Sequence, residues 1–393
     1  MTVAHPITKA WISAGRTGAQ NYDEFADDAE ITEIISANPD SALAVEMPHR
    51  APGSLGKTFT EALPDAAARL ADQQARGAYR PAEQVAVLYR ISAPGEAPAV
   101  GLWAMVDTDQ ISTSADEPGL VIRNEDVFPA KVRERVALAE RLGTLLSPVL
   151  LLQTGRGEEL HAALVEAAES AGEPAVADVD QSGRTHEIWT VPPGPRQTAL
   201  LALAGGGELV VADGNHRSLA AQQAGLPRFL AVITTPGSVG IQPYNRLVGE
   251  LPVPVLEMAA QLRREGAEVE WPAPAGKGWI QLYAPNYEYA IRLPADPNLD
   301  DVDNLDHARV ERVLFGRILG LDPGDKRITY VGGDYPAEWL RGEVDAGRAG
   351  LAVIVPPVTV DDFVTVNLRR QKLPRKSTWF TPKARAGLVL AEI

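Results

Sequence analysis

GGGELVVADGNHRSLAAQQAG, residues 205–225, is the stretch whose reading decides the fold. Its apolar run ELVVAD (208–213) predicts a buried strand. The run stops at Asp213-Gly214-Asn215-His216-Arg217, and a helix is predicted over 215–224, with Leu219, Ala220 and Ala224 packing it on a sheet. A strand that turns directly into a helix is a unit of α/β architecture. Gly214 permits a sharp turn and a close approach of backbone to a ligand. The amides and dipole of a first helical turn favour an anion. His216 and Arg217 add donors, and an arginine can grip a phosphate with two parallel bonds. Asp213, at the strand's end, is placed to hold magnesium or accept a substrate proton. The same five residues also read as an ordinary corner, with Asp213 as N-cap and His216 and Arg217 exposed.

Outward from this corner, short apolar runs alternate with helix-period segments, which argues for a mixed α/β (α+β) chain. SALAVEM (41–47) reads as a buried strand, 58–76 as an amphipathic helix, and QVAVLYRI (84–91) with AVGLWAMV (99–106) as an antiparallel pair. A helix is predicted from Pro129 over 129–146, then a core strand PVLLL (148–152), a helix over 158–172 and a strand THEIWTV (185–191). After the corner come the strand RFLAVIT (228–234), a hairpin over 279–284 and 287–293, a helix over 307–320, a strand over 350–356 and a helix over 361–370. Polar or Pro/Gly-rich stretches near 110–118 and 270–278 suggest three segments: 1–118, 119–270 and 271–393.

The chain has 393 residues, of which 45% are apolar and 23% charged, so it can bury large cores without staples. With 37 Lys and Arg against 52 Asp and Glu, its formal charge of −15 argues against a general nucleic-acid binder. It contains no cysteine, which excludes disulfides, thiolate zinc sites, iron–sulfur clusters and cysteine nucleophiles. The N-terminus shows no basic region leading into an apolar run, and no apolar stretch approaches about 18 residues. A cytoplasmic protein with no membrane span is expected.

DGNHR after a strand resembles the phosphate-binding corner of the ParB/sulfiredoxin superfamily, which includes free-serine kinases with an Asp-Gly-His-His-Arg version. VADGNHRSLA resembles more closely the ADGHHR box of a large prokaryotic family of unknown function related to those kinases. Further blocks match that family in order. IRNEDVFPAKVRERV (122–136) keeps Glu125, Pro129, Lys131 and Arg135. IQPYNRLV (241–248) keeps Pro243 and Arg246, and LPRKSTWFTPKARAGLV (373–389) keeps Lys376, Ser377, Thr378, Phe380, Pro382 and Lys383. Asn124, Asn215 and Asn245 stand where the family pattern has histidine. Asparagine keeps hydrogen bonding but carries no proton charge near neutral pH.

The resemblance implies a ParB/sulfiredoxin-like core, with N- and C-terminal additions closing a cleft. It also implies ATP or ADP with Mg2+, and phosphoryl transfer to free L-serine or a related hydroxyl compound. Gly214, Asn215, His216 and Arg217 would hold the nucleotide, Asp213 the metal, and Glu125 would act as base beside Asp213. Arg246, Lys376, Ser377 and Thr378 would meet the acceptor. For Glu125 the plain alternative is a surface acid at a helix start; for Arg246 it is a salt bridge on a strand. Two other functions fit the same motifs: nucleotide binding for regulation without catalysis, and nucleotide hydrolysis.

Overall fold

The computed structural model of the chain describes residues 2–393 apart from 23, 26, 113, 115–118, 124–126, 272–277 and 323. Its architecture is mixed α/β. The contacts divide it into two units. The first holds Met1–Val239, Asn367–Arg370 and Pro382–Ile393, and the second holds Gly240–Val366 and Gln371–Thr381. The chain thus leaves the first unit at Val239 and returns to it twice.

The helices of the first unit begin and end where local chemistry dictates. Helix α1 (Asp28–Ala37) starts at Asp27, whose carboxylate accepts from the Ala29 amide. Helix α2 (Leu43–Glu46) is a single buried turn. Helix α3 (Phe59–Ala75) opens on a capping box in which Thr58 and Glu61 each accept from the other's amide. Helix α4 (Pro129–Leu142) begins on Pro129 and stops at Gly143, which takes a left-handed φ of 58°. Helices α5 (Gly157–Glu169), α6 (Pro195–Ala204) and α7 (Asn215–Gln223) complete the set used below.

These helices serve one large sheet. Its central run is Leu209–Asp213, Val149–Gln153, Arg228–Thr234, Ala99–Asp107, Tyr79–Ser92 and Ile7–Ser13, in that spatial order. Leu209–Asp213 runs antiparallel to Val149–Gln153, and Arg228–Thr234 runs parallel to it. Val149–Gln153 is buried along its whole length, and Trp103 in Ala99–Asp107 is fully buried. That explains why these strands read as unbroken apolar runs. The register of Leu209–Asp213 shifts between Val211 and Asp213, a bulge that re-aims the strand's last side chain just before the corner.

The second unit has its own antiparallel sheet, ordered Glu268–Glu270, Tyr287–Arg292, Ile280–Ala284, Leu351–Ile354, Asn245–Val248 and Ile328–Val331. Helices α8 (Val255–Arg264), α9 (Asp306–Arg309), α10 (Ala337–Asp345) and α11 (Val360–Leu368) follow in chain order. A separate strand pair joins Gly240–Gln242 to Trp379–Thr381.

Most predicted elements form close to their predicted bounds, including the pair over 84–106 in the register Val87↔Trp103. Two do not. Residues 41–47 form helix α2 rather than a strand. Its turn is closed by Glu46 N to Ala42 O and Met47 N to Leu43 O, with the Ser41 hydroxyl accepting from Leu43 N. A short apolar run buried on all sides has no period by which to tell the two apart. The helix predicted over 307–320 is α only through Arg309 and continues as a π-helix over Val310–Leu319. The wider winding is invisible to a 3.6-residue period.

Candidate functional site

The corner forms as a strand, one glycine and a helix. Gly214 has φ 96° and is the N-cap of α7, so Asp213 does not cap the helix. A Cβ at Gly214 would lie 3.1–3.2 Å from the Arg217 guanidinium and from the Val149 Cα. Glycine therefore serves twice here: it takes the left-handed turn, and it lets Arg217 fold back across the corner.

Arg217 is buried and held on three sides. Its Nη2 pairs with Asp213 Oδ2 at 2.5 Å, and its Nη1 donates to Asn21 Oδ1 (3.1 Å) and to the Pro148 carbonyl. Asn21 closes the ring by donating to Asp213 Oδ2 (3.3 Å) and to Glu24 Oε1 (2.8 Å). Lys383 Nζ lies 3.6 Å from Glu24 Oε1 and 3.9 Å from Asp213 Oδ1. Two cations and two carboxylates thus meet around one buried asparagine. Such pairing makes burial of the charges tolerable.

His216 is buried as well. Its Nε2 accepts from the Phe128 amide at 3.0 Å, and the two rings stack 9° from parallel with centroids 6.0 Å apart. An accepting Nε2 places the ring proton on Nδ1. His216 therefore ties the corner to the start of α4, the helix of the 122–136 box. Asn215 is buried at the first position of α7. Along α4, Arg135 stacks on the rings of Tyr22 (4.1 Å) and Phe59 (5.0 Å), and Lys131 Nζ lies 5.8 Å from the Tyr22 ring. Glu125, chosen as base, and Asn124 lie outside the described residues.

Arg246, Lys376, Ser377 and Thr378 belong to the second unit. Arg246 is fully buried. It stacks on Tyr330 at 5.0 Å, donates to Glu311 Oε1 through Nε (3.3 Å) and Nη2 (3.2 Å), and donates to the Tyr244 carbonyl. Burial, reinforced by Glu311, pushes the Tyr330 phenol up to about 12. Lys376 Nζ lies 5.3 Å from the Tyr244 ring, so Arg246 and Lys376 share that residue. The Ser377 hydroxyl is buried and donates to the Pro374 carbonyl at 2.7 Å. Asn245 Oδ1 accepts from the Val355 amide at 3.1 Å. The structure thus places the salt bridge that was the plain alternative for Arg246.

Asp213 does not fit a magnesium ligand in this arrangement. Its Oδ2 takes Arg217 and Asn21, and its Oδ1 faces Lys383. Among the described residues no group of three His, Cys, Asp or Glu could hold a metal. At this helix start Arg217 lies beside Asp213, with Lys383 on the other oxygen of the same carboxylate, so two cations stand next to the first turn of α7 through Asp213. Asn21 and Glu24 carried no signal in the sequence, since nothing local marks them. Lys383 was visible only as one of the family-like residues near the C-terminus.

Residues 8–308 match DUF1015, a family described as protein of unknown function, and the chain belongs to it. No curated protein matches the sequence. Among solved structures, a free serine kinase in complex with AMP is similar, at 16% identity and a TM-score of 0.41, over 71% of this chain and 87% of that one. A conserved hypothetical protein from Pyrococcus furiosus is similar at 16% and 0.40, over 73% and 95%. SbnI with C-terminal truncation from Staphylococcus aureus is similar at 12% and 0.40, over 73% and 87%. Similarity this distant assigns neither ligand nor reaction to the chain. Among the described residues, no helix is long and apolar enough to cross a membrane.

Proposed function

We propose that this chain is a nucleotide-dependent phosphotransferase with a ParB/sulfiredoxin-like core. It moves a phosphoryl group from ATP or ADP to the hydroxyl of a small molecule, with free L-serine as the first acceptor. One observation carries the reading: a glycine-turned helix start beside two cations, the buried Arg217 and the half-buried Lys383, both in range of the Asp213 carboxylate. The family-like boxes at 122–136 and 208–220 support it.

In this reading the amides at the start of α7, with Arg217 and Lys383, neutralise the phosphates. Phosphoryl transfer depends mainly on such positioning and charge. Asp213 and Asn21 hold Arg217 in place, so Asp213 is a positioning residue. Glu125 takes the proton of the acceptor hydroxyl as its oxygen bonds to the terminal phosphorus, and the bond to the leaving nucleoside phosphate breaks. His216, through the Phe128 amide, keeps the start of α4 against the corner.

The test is a transfer assay with ATP or ADP, magnesium and a panel of amino acids led by L-serine, read by mass spectrometry. O-phosphoserine is expected, and Glu125→Gln should lower turnover by about 10²–10⁴-fold while leaving nucleotide binding in place. Nucleotide binding without product would select the regulatory reading. That reading draws support from the Arg217 guanidinium being already engaged by Asn21, Pro148 and Asp213. Phosphate release that ignores the acceptor would select hydrolysis.

A further inference from the structure

We propose that His186 is a positioning residue for Lys383: through Tyr89 it fixes the segment that brings Lys383 to Asp213. That segment lies beside the one that carries Asn21. Ala19 and Ala386 exchange both main-chain bonds, Ala19 N to Ala386 O at 3.0 Å and Ala386 N to Ala19 O at 2.9 Å. The Thr17 hydroxyl donates to the Gly387 carbonyl at 2.7 Å. Lys383 follows three residues before this pairing, with Nζ 3.9 Å from Asp213 Oδ1.

A line of hydrogen bonds runs from Arg385 into the sheet. The Arg385 amide donates to Tyr89 Oη at 3.3 Å. Tyr89 Oη lies 2.6 Å from His186 Nδ1, and His186 Nε2 lies 3.1 Å from Asp180 Oδ2. The other oxygen of Asp180 accepts from the Ser182 and Arg184 amides, both at 2.8 Å, in the turn between the strands Val176–Val179 and Thr185–Val191. Burial holds the His186 imidazole below its ordinary 6.5, so near neutral pH it carries one ring proton. Facing a carboxylate, that proton sits on Nε2, and Nδ1 accepts from the phenol. The phenol oxygen is then left for the Arg385 amide, and one arrangement of protons satisfies every member. The Arg385 guanidinium braces the same segment: Nη2 donates to the Gly18 carbonyl at 2.7 Å, and Nη1 lies 3.4 Å from Asp178 Oδ2. Gly18 makes room for this, since a Cβ there would collide with Asp178 Oδ2 and lie 3.3 Å from Arg385 Nε.

The sheet itself does not need these side chains. Thr185–Val191 already pairs with Tyr79–Ser92 along its whole length through the main chain. His186 and Tyr89 are 1% and 2% exposed, and burying two polar groups costs about 1–3 kcal/mol for each one left unmatched. What the line adds is a fixed direction and distance to one main-chain group outside that strand pair, the Arg385 amide. This deepens the phosphotransferase reading and rests on it for the use made of Lys383.

The test uses the full chain. Tyr89→Phe removes the hydroxyl and keeps the ring against Trp103. Hydrogen exchange read by mass spectrometry should show residues 382–388 losing protection by about three- to tenfold, the worth of one hydrogen bond, with 149–153 unchanged. In calorimetric titration ADP should bind Tyr89→Phe weaker by a similar factor. That loss should largely vanish when Lys383→Met is already present, because a residue acting through Lys383 then has nothing to position. His186→Asn keeps an acceptor near the Nδ1 position and should stay close to the unaltered chain in both measurements, whereas His186→Leu should match Tyr89→Phe.

Unchanged protection of 382–388 in Tyr89→Phe would overturn the proposal. So would an ADP loss of the same size with and without Lys383→Met, or His186→Asn behaving as His186→Leu does. The two readings fail separately. Protection lost in Tyr89→Phe and kept in His186→Asn, with no ADP binding to the unaltered chain, retains the positioning and removes the nucleotide. Transfer to serine that proceeds equally in the unaltered chain and in Tyr89→Phe retains the kinase and removes the positioning.

Discussion

Arg217 and Arg246 look alike in the sequence: each is the arginine of a family-like box, two residues after a position where asparagine replaces histidine or one residue after it. Their surroundings differ. Arg246 lies on a strand of the second unit, stacked on Tyr330 and paired with Glu311 beneath a fully buried surface. Arg217 lies at the start of a helix, beside a glycine turn, a second cation and the wall of a cavity. A motif residue can therefore be a tie within the core or a group beside a cavity, and the environment decides which.

Alanine substitution sharpens this contrast most. Arg246→Ala leaves Glu311 without its buried partner and should cost about 3–5 kcal/mol of unfolding free energy in denaturant titrations. Arg217→Ala should cost less, because Lys383 and Asn21 still face Asp213, but it should remove nucleotide binding. The reverse order of stability losses would break the comparison.

Gly214→Ala should come next. The left-handed turn alone costs about 1–2 kcal/mol for a residue with a Cβ. The added methyl also presses on Arg217 and Val149. Thermal unfolding and nucleotide titration should both be affected, whereas a turn that accepts alanine without loss would show that Arg217 need not fold back across it.

The smallest effect is an acid one, and it also separates the units. Burial, with Arg246 adding to it, holds the fully buried His307 imidazole well below its ordinary 6.5. Burial lowers His186 as well, but its bond to Asp180 pulls the other way. For both, the unfolded chain binds the proton first on acidification. Their contribution to stability is therefore full above about pH 6.5 and declines as pH falls toward the folded value. His307→Gln should flatten the decline in stability below pH 6.5 more than His186→Gln does, as measured by denaturation across pH.

Much of the fold was legible because burial leaves a local trace. The strands over 149–153, 209–213 and 228–234 are apolar apart from polar residues at their ends, since both faces of their middles are covered, and the hairpin over 280–292 is bracketed by its turn. Helix α2 was misread because four buried residues carry no period, and the π-helix because its winding has no sequence signature. The site was legible only in part. Asp213, Gly214, His216 and Arg217 are neighbours in sequence, but Asn21, Glu24 and Lys383 reach them from distant parts of the chain.

By itself the sequence determined the strand–glycine–helix corner, the alternation of strands and helices, the absence of cysteine chemistry and the family-like boxes. All of these depend on residue type and on spacing over a few positions. Only the tertiary structure decided that Arg217 is held by Asn21 and Asp213, that Lys383 stands opposite Glu24, that Arg246 is sealed, and that Arg135 and Glu46 share a cavity wall. Those outcomes depend on which charges are brought together out of water, and a linear pattern carries no record of distances between residues tens to hundreds of positions apart.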